Sequence, residues 1–208
     1  RTTVDADLVF TWLCNPVRSS RTAGNRKAKV GMAAKTANGA RHLEVERKFD
    51  VPPGTVFPSF DGLCTIARVE RLPSQSLDAV YFDTPRHDLA ANRVTLRRRT
   101  GGPDAGWHLK LPAGPDSRSE VHAPLDADSQ DQVPEQLLDI VLAIVRDRPL
   151  APVARIATTR NVVMLHGADG GALAEFCDDE VSAWAITDGG TADEQQWHEW
   201  ELELVDGS

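Results

Sequence analysis

Alternate residues of the segment HLEVERKFDV carry Glu44, Glu46 and Lys48. Because side chains alternate across an extended strand, these three share one face, while Leu43, Val45, Phe49 and Val51 share the other. Arg47 is the charged exception on the apolar side. The arrangement recurs in Arg97 and Arg99 of VTLRRRT, His108 and Lys110 of WHLKLP, Arg118 and Glu120 of SRSEVH, and Glu199, Glu201 and Glu203 of WHEWELEL. Guanidinium and ammonium groups match phosphate oxygens in charge, and Arg also matches them in bidentate geometry. Clustered carboxylates bind a hard divalent cation through oxygen. A polyphosphate with its metal needs both kinds of group, and a bound cation keeps crowded glutamates ionised.

Any one such strand reads just as well as the wet face of an ordinary antiparallel sheet. Five together say more, because their polar faces hold charged groups rather than mixed Ser, Thr, Asn and Gln. If the sheet closes on itself with its apolar side outward against helices, the interior becomes a cavity lined by both signs of charge.

The elements that must hold these faces are legible from His42 onward, where short alternating segments are separated by Pro52–Pro53–Gly54, Gly101–Gly102–Pro103 and Gly170–Gly171. Strands are expected over 42–51, 64–72, 77–83, 93–100, 106–112, 117–124, 153–165, 171–180 and 197–205. Leu137, Leu138, Val141, Leu142 and Val145 recur at helical spacing, so 132–146 reads as an amphipathic helix on the sheet, with a helical turn over 85–92. Residues 1–41 lack any such period and read as a disordered leader, either a native arm or vector-derived or misassigned sequence upstream of Met32.

A chain of 208 residues fits one domain plus such a leader. Its net charge of −8 repels nucleic acid and anionic lipid at long range, so any bound anion must meet a locally basic pocket. Cys14, Cys64 and Cys177 are odd in number and form no CxxC pair, which argues against a disulfide framework or a zinc cage. No apolar run approaches a membrane span, and Asp5 and Asp7 precede the longest one where a signal peptide would be basic. A cytoplasmic protein with no membrane and no nucleic-acid partner is expected.

Taken in order, the motifs resemble the CYTH superfamily, also called triphosphate tunnel metalloenzymes. They are the E-x-E-x-K of Glu44, Glu46 and Lys48, then YFDT (81–84), LRRR (96–99), Lys110 in WHLKLP, Arg118 and Glu120, Arg160 in TTRNV, AEFCDDEV and the final EWELEL. The resemblance covers about 42–205 and assigns 42–208 to one CYTH domain. It implies a mostly β (α+β) fold: a closed eight-stranded antiparallel tunnel with a charged interior and a few helices outside. It also implies hydrolysis of a phosphoanhydride in a triphosphate or polyphosphate, with Mg²⁺ or Mn²⁺ as cofactor. Lys48, Arg97, Arg99, Lys110, Arg118 and Arg160 would hold phosphates. Glu44, Glu46, Glu120, Glu199, Glu201 and Glu203, with Asp178 or Asp179, would hold metal. Glu44, Glu46, Lys48 and Glu201 would be catalytic. Register at Asp178/Asp179 and among the last three glutamates is left open by the sequence.

Thiamine triphosphatase and class IV adenylyl cyclase share the family, and a non-catalytic polyphosphate-binding module is the alternative from another class. The carboxylates argue against that module, since phosphate binding alone needs only the basic residues. The resemblance also raises a C-terminal CHAD domain in the full-length protein. Trp107, Trp184, Trp197 and Trp200 read as packing residues, Tyr81 and Asp83 as structural, and His42, His87 and His108 as lacking ligand spacing.

Overall fold

The computed structural model describes residues 41–114, 117–125, 132–187, 190–191 and 193–205. The alternating segments become β1 (Arg41–Asp50), β2 (Arg68–Arg71), β3 (Gln75–Asp83), β4 (Thr95–Thr100), β5 (Gly106–Pro112), β6 (Ser117–Ala123), β7 (Ala151–His166), β8 (Ala172–Thr187), β9 (Gly190–Thr191) and β10 (Gln195–Leu204). The helical turn is α1 (Asp88–Ala91), and the amphipathic stretch is α2 (Glu135–Val145).

Strands pair in the order β7-β3-β4-β5-β6-β1-β10-β8, and β8 returns to pair with β7, which closes an eight-stranded antiparallel barrel. Closure leaves no free edge along those eight strands. The long β7 carries β3 along its first part and β2 along its last, where Arg68 lies opposite His166. The two-residue β9 pairs with the end of β8.

Apolar side chains face outward and are covered from two sides. Phe49, Val163, Leu165, Phe176, Trp200 and Leu202 form one buried cluster, roofed by Phe60 and Leu63 from the β1–β2 connection. Leu96, Trp107, Leu109 and Val121 form the other, beneath Leu137, Val141 and Val145 of α2 and Leu89 of α1. Each side chain buried in this way contributes about 1.5–3 kcal/mol. Asp83 seats α1, since its carboxylate accepts the backbone N–H groups of Leu89 at 2.9 Å and Ala90 at 3.0 Å. The structural reading of Asp83 therefore holds.

Several boundaries differ from expectation by one to three residues, and the start of β2 and the end of β8 by more; three of the differences carry a physical reason. Residues 64–67 are not strand, because the chain turns at Leu63–Ile66 and packs Ile66 against the outward core. β8 runs on to Thr187 rather than ending at 180, because its extension keeps pairing with β7, with Ala185 opposite Ala154. α2 begins after Pro134, whose φ of −55° suits a helix entry. Apart from Arg41, which opens β1, the expected leader over 1–41 lies outside the described residues.

Candidate active site

Register decides what the inward face contains. Across β1, β10 and β8, Glu46 lies opposite Glu203 and Glu203 opposite Glu175. One row along, Lys48 faces Glu201 and Glu201 faces Cys177. In the next row Asp50, Glu199, Asp179 and Arg160 follow across four strands. On the other wall Glu44 lies opposite Arg118, Glu120 opposite Lys110, and His108 opposite Arg97.

These rows surround a cavity of about 430 Å³ lined by Glu44, Glu46, Lys48, Arg97, Arg99, Lys110, Glu120, Arg160, Glu201 and Glu203. A narrower chamber of about 70 Å³ shares Lys48, Arg97, Arg99, Arg160 and Glu201 and adds Tyr81, Asp179, Trp197 and Glu199. Arg118 has the inward phase but stands outside both walls, close enough for its charge to act on Glu46. Asp178 belongs to the opposite face: Trp200 Nε1 donates to it at 2.8 Å, and His198 Nε2 lies 2.5 Å away. Of the adjacent pair, Asp179 enters the cavity and Asp178 pins the outward Trp200.

Asp104 and Glu175 also line the main cavity. Asp104 sits in the turn between β4 and β5, outside any strand phase, so no sequence period marks it. Glu175 was accessible by phase, two and four residues before Cys177 and Asp179. Tyr81 faces inward, with Arg97 Nη1 at 3.4 Å from its hydroxyl, and Trp197 faces inward as well. His108 is buried rather than idle. Its Nδ1 lies 2.7 Å from the Glu120 carboxylate, and its Nε2 lies 3.0 Å from the Asp104 carbonyl.

The charges fall into two centres. In one, Lys110 Nζ lies 2.8 Å from Glu44 Oε2, and Glu44 is hydrogen-bonded to Glu120. Burial first, then the Glu120 hydrogen bond, pushes the Glu44 carboxyl up to about 7, with Lys110 opposing. Burial alone would also raise Glu120, but hydrogen bonds with His108 and Glu44 and the Lys110 charge hold it well below the ordinary carboxylate range. Burial raises Glu203, with Lys110 opposing and neighbouring Glu46 and Glu175 adding to the rise.

In the second centre Arg160 is bidentate to Asp179, at 2.9 Å from Nε and 2.5 Å from Nη2, and also reaches Glu201 at 2.7 Å. Lys48 bonds to Glu201 and lies 3.7 Å from Glu199. Asp179, Glu199 and Glu201 each bring a carboxylate oxygen within 4.8 Å of the others. Such an all-oxygen donor set suits Mg²⁺ or Mn²⁺. For anions the fit is as direct: the buried Nε atoms of Arg97 and Arg99 have no hydrogen-bond partner among the described residues. Burial first, then the charges of Arg97 and Arg160, lowers Arg99 to about 10, which leaves it charged at neutral pH.

The proton on Glu44 gives a pH-dependent expectation. Between its ordinary 4.5 and about 7 the folded chain holds a proton that the unfolded chain has released, so stability falls as pH rises through that window. A cation held there would displace that proton, so the rise in Tm produced by Mn²⁺ should grow from about pH 5 to about pH 8. Thermal melts with and without the ion check this. A pH-independent or shrinking rise would mean that Glu44 takes no part.

A family model described as the CYTH domain matches residues 42–207. Uncharacterized proteins MT2285 and Rv2226 of two Mycobacterium tuberculosis strains are each 64% identical over 181 residues, covering 84% of this chain and 35% of their own length. The chain thus spans about a third of these curated relatives. Among solved structures, a Bacillus halodurans protein described as a proposed adenylate cyclase superposes with a TM-score of 0.53 at 17% identity, over 80% of this chain and 83% of that one. That likeness concerns the fold. No helix among the described residues is long and apolar enough to cross a membrane.

Proposed function

The chain belongs to the CYTH domain family, and from that premise we propose that it hydrolyses a phosphoanhydride of inorganic triphosphate or another short triphosphate inside its barrel, with Mg²⁺ or Mn²⁺. One observation carries the reading: five cationic side chains from four strands, Lys48, Arg97, Arg99, Lys110 and Arg160, share one cavity with a ring of carboxylates. Two of the guanidinium groups keep buried donors unmet. A purely phosphate-binding pocket would be weakened by the acidic ring, whereas a metal-assisted hydrolase requires it.

The basic wall neutralises the phosphate oxygens and aligns the chain for in-line displacement. Arg97 and Arg99, two residues apart on β4, present their groups side by side, and Lys110 and Lys48 approach from β5 and β1. Asp179, Glu199 and Glu201, with Glu46 and Glu203 on the same wall and Glu44 and Glu120 on the other, are the groups that would hold the ion. A bound ion would supply charge neutralisation at the reacting phosphate and make water more acidic. Glu201, already an acceptor from Lys48 and Arg160, is placed to accept a proton from the attacking water or to orient it. A cytoplasmic location and a CHAD domain elsewhere in the full-length protein belong to the same proposal.

Phosphate release from inorganic triphosphate, thiamine triphosphate and ATP, each with Mg²⁺, Mn²⁺ or a chelator, is the test. Inorganic triphosphate is expected to be cleaved fastest, and the chelator to stop turnover. Full-rate turnover in chelator would overturn the mechanism, and cyclic nucleotide formation from ATP would replace the hydrolase with a cyclase.

A further inference from the structure

The turn between β4 and β5 does more than connect them. Pro103 and Asp104 form part of the cavity wall, and Arg99 Nη2 donates to the Asp104 carboxylate. Arg99 is 6% exposed, whereas the Asp104 side chain is 56% exposed, so an anion on the solvent side reaches a cation sunk in the wall. We propose that Asp104 is a built-in stand-in for a substrate phosphate, which an entering phosphoryl group must displace from Arg99. This rests on the triphosphatase reading and adds to it a filter for highly charged anions.

The contact is built by the loop. Gly101 and Gly102 have φ of 77° and 74°, a region that favours glycine. A Cβ at Gly101 would lie 2.0 Å from the Ser76 carbonyl oxygen, so the turn is seated directly on β3. From the other side, His108 Nε2 lies 3.0 Å from the Asp104 carbonyl and fixes that residue's backbone. Asp104 is therefore held over Arg99 rather than meeting it by chance.

The pair is also poorly matched, which makes it exchangeable. Arg99 Nε remains without a hydrogen-bond partner among the described residues, so the carboxylate uses the guanidinium incompletely. A phosphoryl group with three acceptor oxygens can engage the fork more fully. Asp104, once displaced, is close to water and loses little, as expected of an ion pair with one exposed partner. A single phosphate must overcome this competitor alone, whereas a triphosphate also engages Arg97, Lys110 and Arg160. Competition of this kind lowers the apparent affinity in proportion to the blocked population.

Titration calorimetry in chelator, with tripolyphosphate and orthophosphate on wild type and Asp104→Asn, tests the exchange. Asp104→Asn should bind both anions more tightly, by roughly fivefold or more, with the larger gain for orthophosphate. Equal or weaker binding would make Asp104 a support for Arg99 and overturn the proposal. Hydrogen exchange at residues 100–106 of the wild type gives a second reading that needs no variant: anion binding should speed exchange there, and slowed or unchanged exchange would overturn it. If wild type ignores tripolyphosphate but orthophosphate still frees the loop, the exchange stands and the triphosphate reading fails.

Discussion

Glu201→Gln is expected to depress metal-activated phosphate release by about 100-fold while leaving the barrel folded. The substitution keeps the volume, but Lys48 and Arg160 each use a different Glu201 oxygen and the amide keeps only one, so one of the two cations loses this acceptor and the negative charge at the junction of both is lost. In the free protein that charge offsets two buried or half-buried cations, and weakening its charge-assisted hydrogen bonds should cost about 1.5–3 kcal/mol of stability. In the proposed reaction the loss is larger, because one of three convergent donors in the Asp179–Glu199–Glu201 group disappears. Metal titrations of activity and of Tm separate the two effects. Half-activation should shift to higher Mn²⁺ for Glu201→Gln, whereas a variant with unchanged metal dependence and a lowered Tm would make Glu201 a structural counter-ion only.

The free cavity is not an open field of charge. Arg160 is clamped by Asp179 and Glu201, Lys110 by Glu44, and Arg99 by Asp104. Paired buried charges of this kind add little net stability over an apolar core, yet removing one partner strands the other. The arrangement therefore makes better sense as a poised binding site than as a stabilising device: a triphosphate and its cation can take over the interactions that the walls otherwise make with each other.

Strand phase made much of this legible in advance. The alternation in HLEVERKFDV, LRRR and WHEWELEL placed Glu44, Glu46, Lys48, Arg97, Arg99, Glu199, Glu201 and Glu203 on one surface, and barrel closure turned that surface inward. Where two adjacent residues were both acidic, phase was the only guide and register was unknown. Asp178 went outward to Trp200 and His198 because Asp179 is the residue opposite Glu199. Asp104 could not be found this way, because a turn has no period and its meeting with Arg99 depends on two glycines at positive φ. His108 carried no ligand spacing along the sequence, and only cross-strand pairing of β5 with β6 brought it to Glu120. Trp197 reads as a packing residue because aromatic side chains usually are, and Tyr81 as a structural one, although both have the inward phase.

The sharpest check on that phase uses three consecutive residues. Arg97→Ala should weaken tripolyphosphate binding by roughly 10- to 150-fold, the equivalent of about 1.5–3 kcal/mol for one charge-assisted hydrogen-bonding group. Arg98→Ala removes the same charge from the adjacent position, but Arg98 lies opposite Val80 and Trp107, on the outward face, whereas Arg97 lies opposite Tyr81 and His108. Net charge and local sequence are thus matched, and only the direction of the side chain differs. Binding by Arg98→Ala should stay within about twofold of wild type, since a change outside the cavity acts only through screened long-range charge. Arg99→Ala should resemble Arg97→Ala, but less severely, because it also removes the group that holds Asp104 in place. Calorimetric affinities for the three variants, measured in chelator so that metal binding does not intervene, decide the matter. An Arg98→Ala defect as large as that of Arg97→Ala would mean that the basic wall is not the inward face of β4, and the assignment of the barrel interior as the phosphate site would fall with it.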